Sequence, residues 1–159
     1  MINIHDQDFI DACMRGNKKV VLELLRTYRN RINFNIRMNG WTPLMHVCHF
    51  GHYDIVKILL NSEYFLYINA RSSSFKDTAL ILACLQGHTD IVRELLKQPS
   101  IDYVYDSNVG NKSAMTTAYK KGYTNIVILI KQKMINDLNN MPLPLPYDII
   151  RHIVEKYII

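Results

Sequence analysis

Four glycines set the frame for this chain. Gly16, Gly51, Gly87 and Gly122 are spaced by 35, 36 and 35 residues, in the contexts CMRGNKKVVLELL, CHFGHYDIVKILL, CLQGHTDIVRELL and YKKGYTNIVILIK. A period of this size restricts a chain to architectures built by stacking one small unit. Four and five residues after the glycines stand Val20-Val21, Ile55-Val56, Ile91-Val92 and Ile126-Val127, and eight after them Leu24, Leu59, Leu95 and Ile130. Those spacings fall on one helical face, so each unit contains an amphipathic helix that cannot cover its own apolar side. Neighbouring units must cover it.

The register extends upstream. Nine residues before the last three glycines lie Thr42, Thr78 and Ser113, hydroxyl residues suited to cap a helix N-terminus, and Pro43 takes the first helical position. Ala12, Val47, Ala83 and Ala118, four residues before the glycines, are mostly small and let a first helix approach its partner. The glycine then closes that helix in the left-handed conformation. Each unit reads as helix, tight turn, helix.

TPLMHVCHFGHYDIVKILL at residues 42–60 and TALILACLQGHTDIVRELL at 78–96 resemble the ankyrin repeat. SAMTTAYKKGYTNIVILIK departs at Met115, Tyr123 and Lys131, and QDFIDACMRGNKKVVLELL lacks an upstream turn. Such departures suit terminal capping repeats. The resemblance implies an all-α ankyrin solenoid of about four helix-turn-helix repeats with β-turn fingers, over residues 5–137. The boundaries are 5–36, 37–70, 71–106 and 107–137, followed by a Pro-rich linker at 138–146 and a C-terminal helix at 147–159. The family unit is about 33 residues long, so two or three extra residues are expected around Asn61–Ser74 and Gln98–Gly110. Lys76 replaces the usual glycine before Asp77-Thr78, and Gly110 sits one residue too far upstream of Ser113.

Cys13, Cys48 and Cys84 recur three residues before successive glycines, with Tyr119 in the fourth copy. Copies of one structural position are expected to be small buried residues rather than ligands. In HVCHFGH, the residues His46, Cys48, His49 and His52 have the composition of a zinc site, but the repeat register sends them in different directions. No metal and no cofactor are expected. Neither a phosphate loop, an HExxH pair nor a nucleophile elbow occurs in the sequence, which gives no positive sign of an enzyme.

By the same resemblance, partner contacts come from the fingers and the exposed ends of the first helices. These are Met38, Asn39, Trp41, His49 and Phe50 in the second repeat, Asp77, Leu85 and Gln86 in the third, and Lys112, Lys120 and Lys121 in the fourth. Trp41, the single tryptophan, is placed at a finger tip. It reads equally as a binding hot spot or as a ring folded over the next finger.

After Asn140 the chain continues MPLPLPYDIIRHIVEKYII. Its prolines favour an extended linker, and Ile149, Ile150, Ile153, Val154, Tyr157 and Ile158 share one helical face. LPYDIIRHIVEKYI resembles the opening of an F-box, which engages the Skp-family adaptor of cullin-RING ubiquitin ligases. On that resemblance Leu145, Pro146, Ile149, Ile150, Ile153 and Val154 contact the adaptor. Ankyrin repeats followed by a short F-box-like end are also the order found in poxvirus-type viral ankyrin proteins. The competing reading is a simple binding or blocking module whose last helix only caps the stack.

The net charge of +5 is local. Between Ser107 and Lys133 lie Lys112, Lys120, Lys121, Lys131 and Lys133 with no acid, so the rest holds 19 − 5 = 14 basic side chains against 14 acidic ones. Nucleic-acid binding through this fourth repeat is a second alternative, but interleaved aromatics and arginine forks are missing from it. A protein partner with an acidic patch is expected instead. The longest apolar run, Ala79 to Leu85, is far short of a membrane span. A monomeric, intracellular, cytoplasmic protein is the expectation.

Overall fold

The computed structural model describes residues 4–61, 67–104, 106–107 and 112–140. They form the helix pairs α1 (Ile4–Met14) and α2 (Lys18–Tyr28), α3 (Pro43–Phe50) and α4 (Tyr53–Leu60), α5 (Ala79–Gln86) and α6 (Thr89–Leu96), and α7 (Ala114–Lys120) and α8 (Thr124–Asn139). Strands β1 (Asp106–Ser107) and β2 (Lys112–Ser113) pair antiparallel. The helices α1, α3, α5 and α7 pack in sequence as one layer, and α2, α4, α6 and α8 as the other. This is the all-α solenoid of stacked helix pairs that the repeat demands. Of the linker expected over 138–146 only 138–140 are described, and α8 runs on into it as far as Asn139; the rest of the linker and the C-terminal helix expected over 147–159 lie outside the described residues.

Local chemistry starts and stops each pair at the expected places. The hydroxyls of Thr42, Thr78 and Ser113 accept from the backbone N–H of Met45, Ile81 and Thr116 at 3.3, 3.3 and 3.1 Å. Such a cap contributes about 1 kcal/mol. At the other end, the N–H of His52, His88 and Tyr123 reaches back to the carbonyls of Val47, Ala83 and Ala118 at 2.9, 3.1 and 2.9 Å. That closure requires the preceding residue to be left-handed, and the four repeat glycines have φ of 69° to 79°.

Burial separates the two faces of each repeat. Four residues after the glycine, Ile55, Ile91 and Ile126 are buried whereas Val20 of the first repeat is only partly so; this position faces the preceding unit. One residue later the exception moves to the other end, since Val21, Val56 and Val92 are buried and Val127 of the fourth repeat is not. That position faces the following unit. The cysteine column behaves likewise. Cys13, Cys48 and Cys84 are fully buried, but Tyr119 is 77% exposed, so the expectation of one uniformly buried column holds only where another repeat follows.

The fingers explain part of the long period. In the first finger Met38 and Trp41 exchange both backbone hydrogen bonds at 3.0 Å, leaving Asn39 (φ 52°) and Gly40 (φ 80°) as a two-residue turn. In the second, Ser72 N–H donates to the Asp77 carbonyl at 2.8 Å, and Ser73 to Lys76 form a four-residue tip. In the third, Ser107 pairs with Lys112, with four residues between them in the sequence. In the second finger two extra residues thus lengthen the tip and straddle the end of the loop expected to hold them, whereas between Gly16 and Gly51 the added length lies before Met38. Lys76 takes the left-handed conformation that glycine would have had, with φ 57°, and its ammonium donates to the Ser73 carbonyl at 3.2 Å.

Among the described residues no helix is long and apolar enough to cross a membrane.

Candidate protein-binding surface

The first helices and fingers of the second to fourth repeats share one side of the stack. Trp41 follows the finger tip rather than occupying it. Its ring stands 4.9 Å from that of His49 and 5.3 Å from that of His46, both on the helix it precedes. The expectation of a finger-tip tryptophan, free or folded over the next finger, is therefore corrected: Trp41 packs on its own repeat and is half-buried. Phe50 extends the cluster, 5.0 Å from His49 and 49% exposed. Met38 and Leu85 are half-buried beside it, and Asn39 and Gln86 are exposed. Gln86 reaches the His49 Nδ1 at 3.3 Å, linking the second repeat to the third.

Asp77 is buried at 4% exposure, not displayed. The Lys112 ammonium lies 2.9 Å from its carboxylate, and its backbone N–H donates to Ser72 Oγ at 3.0 Å. These two residues join the second and third fingers. The first and second are joined by Arg37, whose guanidinium donates to the carbonyls of Gly40 and Arg71 at 3.0 and 2.7 Å. The five-lysine patch is also smaller than its sequence suggests, because Lys133 pairs with Asp137 at 2.7 Å, an acid just beyond the stretch. Lys120 and Lys121 remain exposed at the end of α7.

The inner helices α3, α5 and α7 carry no acidic residue. With Arg37 and Lys76 exposed on the fingers and Lys120 and Lys121 exposed at the end of α7, this side carries cations as well as the exposed Phe50. Sequence reasoning missed Arg37 and Lys76 and also Phe75, which lies at the tip of the lengthened second finger and is 60% exposed. Only the two added tip residues could have signalled Phe75.

The histidines serve the stack. His52 Nε2 lies 3.1 Å from the Met14 carbonyl and His88 Nε2 3.1 Å from that of His49, each crossing to the preceding repeat. His46 Nε2 is 3.4 Å from the Met38 carbonyl, while its Nδ1 is buried with no hydrogen-bond partner. Burial lowers the pKa of His46, against the opposing effect of the Met38 carbonyl and with help from His49; burial and the nearby His88 lower that of His49. Burial pushes the Cys13 and Cys48 thiols far up and that of Cys84 to about 12, so all three stay protonated and non-nucleophilic at neutral pH. Among the described residues no three His, Cys, Asp or Glu side chains stand where they could hold a metal ion.

A family model described as ankyrin repeats, in three copies, matches residues 9–71 and 64–141. No curated protein matches the chain at a significant level.

Proposed function

Because the chain belongs to the ankyrin repeat family, whose repeats are protein–protein interaction modules, we propose that its inner face holds a target protein by an acidic, apolar-anchored surface. The observation that carries this reading is the pairing of exposed Phe50 and Phe75 with Arg37, Lys76, Lys120 and Lys121 on a side whose one described buried acid, Asp77, is already neutralised. Aromatic anchors supply contact area, and the cations steer an acidic partner and set its register. Met38, Asn39, Trp41, His49, Leu85 and Gln86 complete the contact set, with Lys112 holding the fingers in place. A duplex-binding reading has less support, since Lys112 and Lys133 of the basic stretch are engaged by Asp77 and Asp137.

The F-box-like sequence after Pro144 supports a second contact, in which Leu145, Pro146, Ile149, Ile150, Ile153 and Val154 recruit a Skp-family adaptor and bring a ubiquitin ligase to the bound target. The order of the two parts supports a host-modulating role of the kind played by viral ankyrin proteins. Affinity purification from cells separates the two contacts. Phe50→Ala with Phe75→Ala should lose the target and keep the adaptor, and Leu145→Ala with Ile149→Asp should do the reverse. If neither pair changes what co-purifies, both assignments fail.

A further inference from the structure

The fourth repeat ends in an open slot. A Cβ on Gly16 would stand 2.5 Å from the His52 ring, one on Gly51 2.6 Å from the His88 ring, and one on Gly87 2.7 Å from the Tyr123 ring. In every case a ring of the following repeat lies flush on the glycine. At Gly122 nothing among the described residues stands within 4 Å. The neighbouring positions repeat the message. Tyr119 is 77% exposed where its three counterparts are fully buried, and Val127 is only partly covered where Val21, Val56 and Val92 are completely so. This end face is built to receive a following element with an aromatic ring.

We propose that the occupant is the chain's own segment 147–159, docked as a helix antiparallel to α8 with Tyr157 over Gly122. The helix α8 has 16 residues against eight in α4 and α6, and it is held on the third repeat where Tyr103 donates to Asp137 at 2.6 Å. Its end at Asn139 therefore stands about 24 Å from its start beside Gly122. The linker 141–146 reaches up to about 20 Å, and a helix from 147 to 157 covers about 15 Å more. Together they suffice to turn and run back to the slot. The apolar residues Ile149, Ile150, Ile153, Val154 and Tyr157 share the face that would meet α7 and α8, and a face of that size will not stay in water. Tethering favours this segment over a second copy of the chain, because a short linker gives an effective concentration in the millimolar range.

The docking does not depend on adaptor recruitment, but if both hold, one apolar face serves two partners and adaptor binding must first release it from the stack. Hydrogen exchange of the full chain tests the docking. Ile150→Asp with Ile153→Asp should speed exchange over residues 114–131 by about tenfold and leave α3 and α4 unchanged. The reciprocal Tyr119→Glu should speed exchange over 147–158, and Tyr157→Ala should act on the turn around Gly122. Unchanged exchange in both the paired-isoleucine variant and Tyr119→Glu overturns the proposal, as does protection over 114–131 that disappears on dilution, which would identify a second copy as the occupant. Adaptor capture by Tyr119→Glu is a separate readout. Its increase over wild type supports competition, whereas no capture from either protein removes the recruitment reading and leaves the exchange result to decide the docking.

Discussion

His88 lies over Gly51, and its Nε2 sits 3.1 Å from the carbonyl of His49 two residues before that glycine. One side chain thereby covers the turn of the preceding repeat and satisfies a carbonyl at its helix end. His52 makes the same crossing to Gly16 and Met14. The repeat glycine therefore has two jobs: its left-handed backbone closes the helix, and its missing Cβ admits the next ring.

The two jobs can be separated by substitution. In a Tyr157→Ala background, which removes the ring proposed to cover it, Gly122→Ala meets only the left-handed strain, about 1–2 kcal/mol, because no atom of the described residues lies within 4 Å of its Cβ. Gly51→Ala adds a clash 2.6 Å from the His88 ring, so its cost should rise to about 2–5 kcal/mol. Urea denaturation of both variants checks the order. Equal losses would mean that the ring does not press on the glycine.

The repeat was legible because it is written in residues whose geometry is local: a cap hydroxyl, a left-handed glycine, aliphatics at helical spacing. What the sequence concealed was set by contacts between repeats. Asp77 has the look of a surface residue in a finger, but Lys112, 35 positions away, holds its carboxylate. Tyr119 occupies a column of buried cysteines and is nonetheless exposed, since each of its three counterparts owes its burial to the repeat that succeeds it. Trp41 could not be placed because its partners, His46 and His49, are themselves unusual; the third-repeat counterpart of His46 is Leu82.

Lys112→Ala should destabilise the fold through a residue that looks dispensable. It leaves the buried Asp77 carboxylate without its cation. Loss of one member of a buried pair costs roughly 3–5 kcal/mol, and since the Lys112 side chain is 30% exposed the loss here should be smaller, about 1–2 kcal/mol. Lys112→Ala with Asp77→Asn should recover part of it. A double variant as unstable as the single one would show that the ion pair is not the cause.

The thiols of Cys13, Cys48 and Cys84 are buried and held protonated. In the folded protein at pH 8 a thiol reagent should therefore label none of them within minutes, and all three should react on addition of denaturant. Rapid labelling of a single cysteine in the native state would locate a repeat that opens locally, with Cys84, next to the fourth repeat, the first to watch.

Acid should weaken the second repeat through His46. Its folded pKa lies below the ordinary value near 6.5 because burial disfavours the imidazolium, and its Nδ1 has no partner to accept a proton's hydrogen bond. On lowering the pH through about 6.5 the unfolded chain takes up the proton first, so the contribution to stability is complete above that value and declines below it, until the folded-state pKa is passed. His49, also lowered, acts in the same direction. Replacing His46 by leucine, the residue its counterpart Leu82 already is, removes one titrating group and keeps the position apolar. The variant should match or exceed wild-type stability at pH 5 and show a shallower fall between pH 7 and 5 in parallel urea titrations. An unchanged slope would place the acid sensitivity elsewhere, with His49→Gln the variant to compare next.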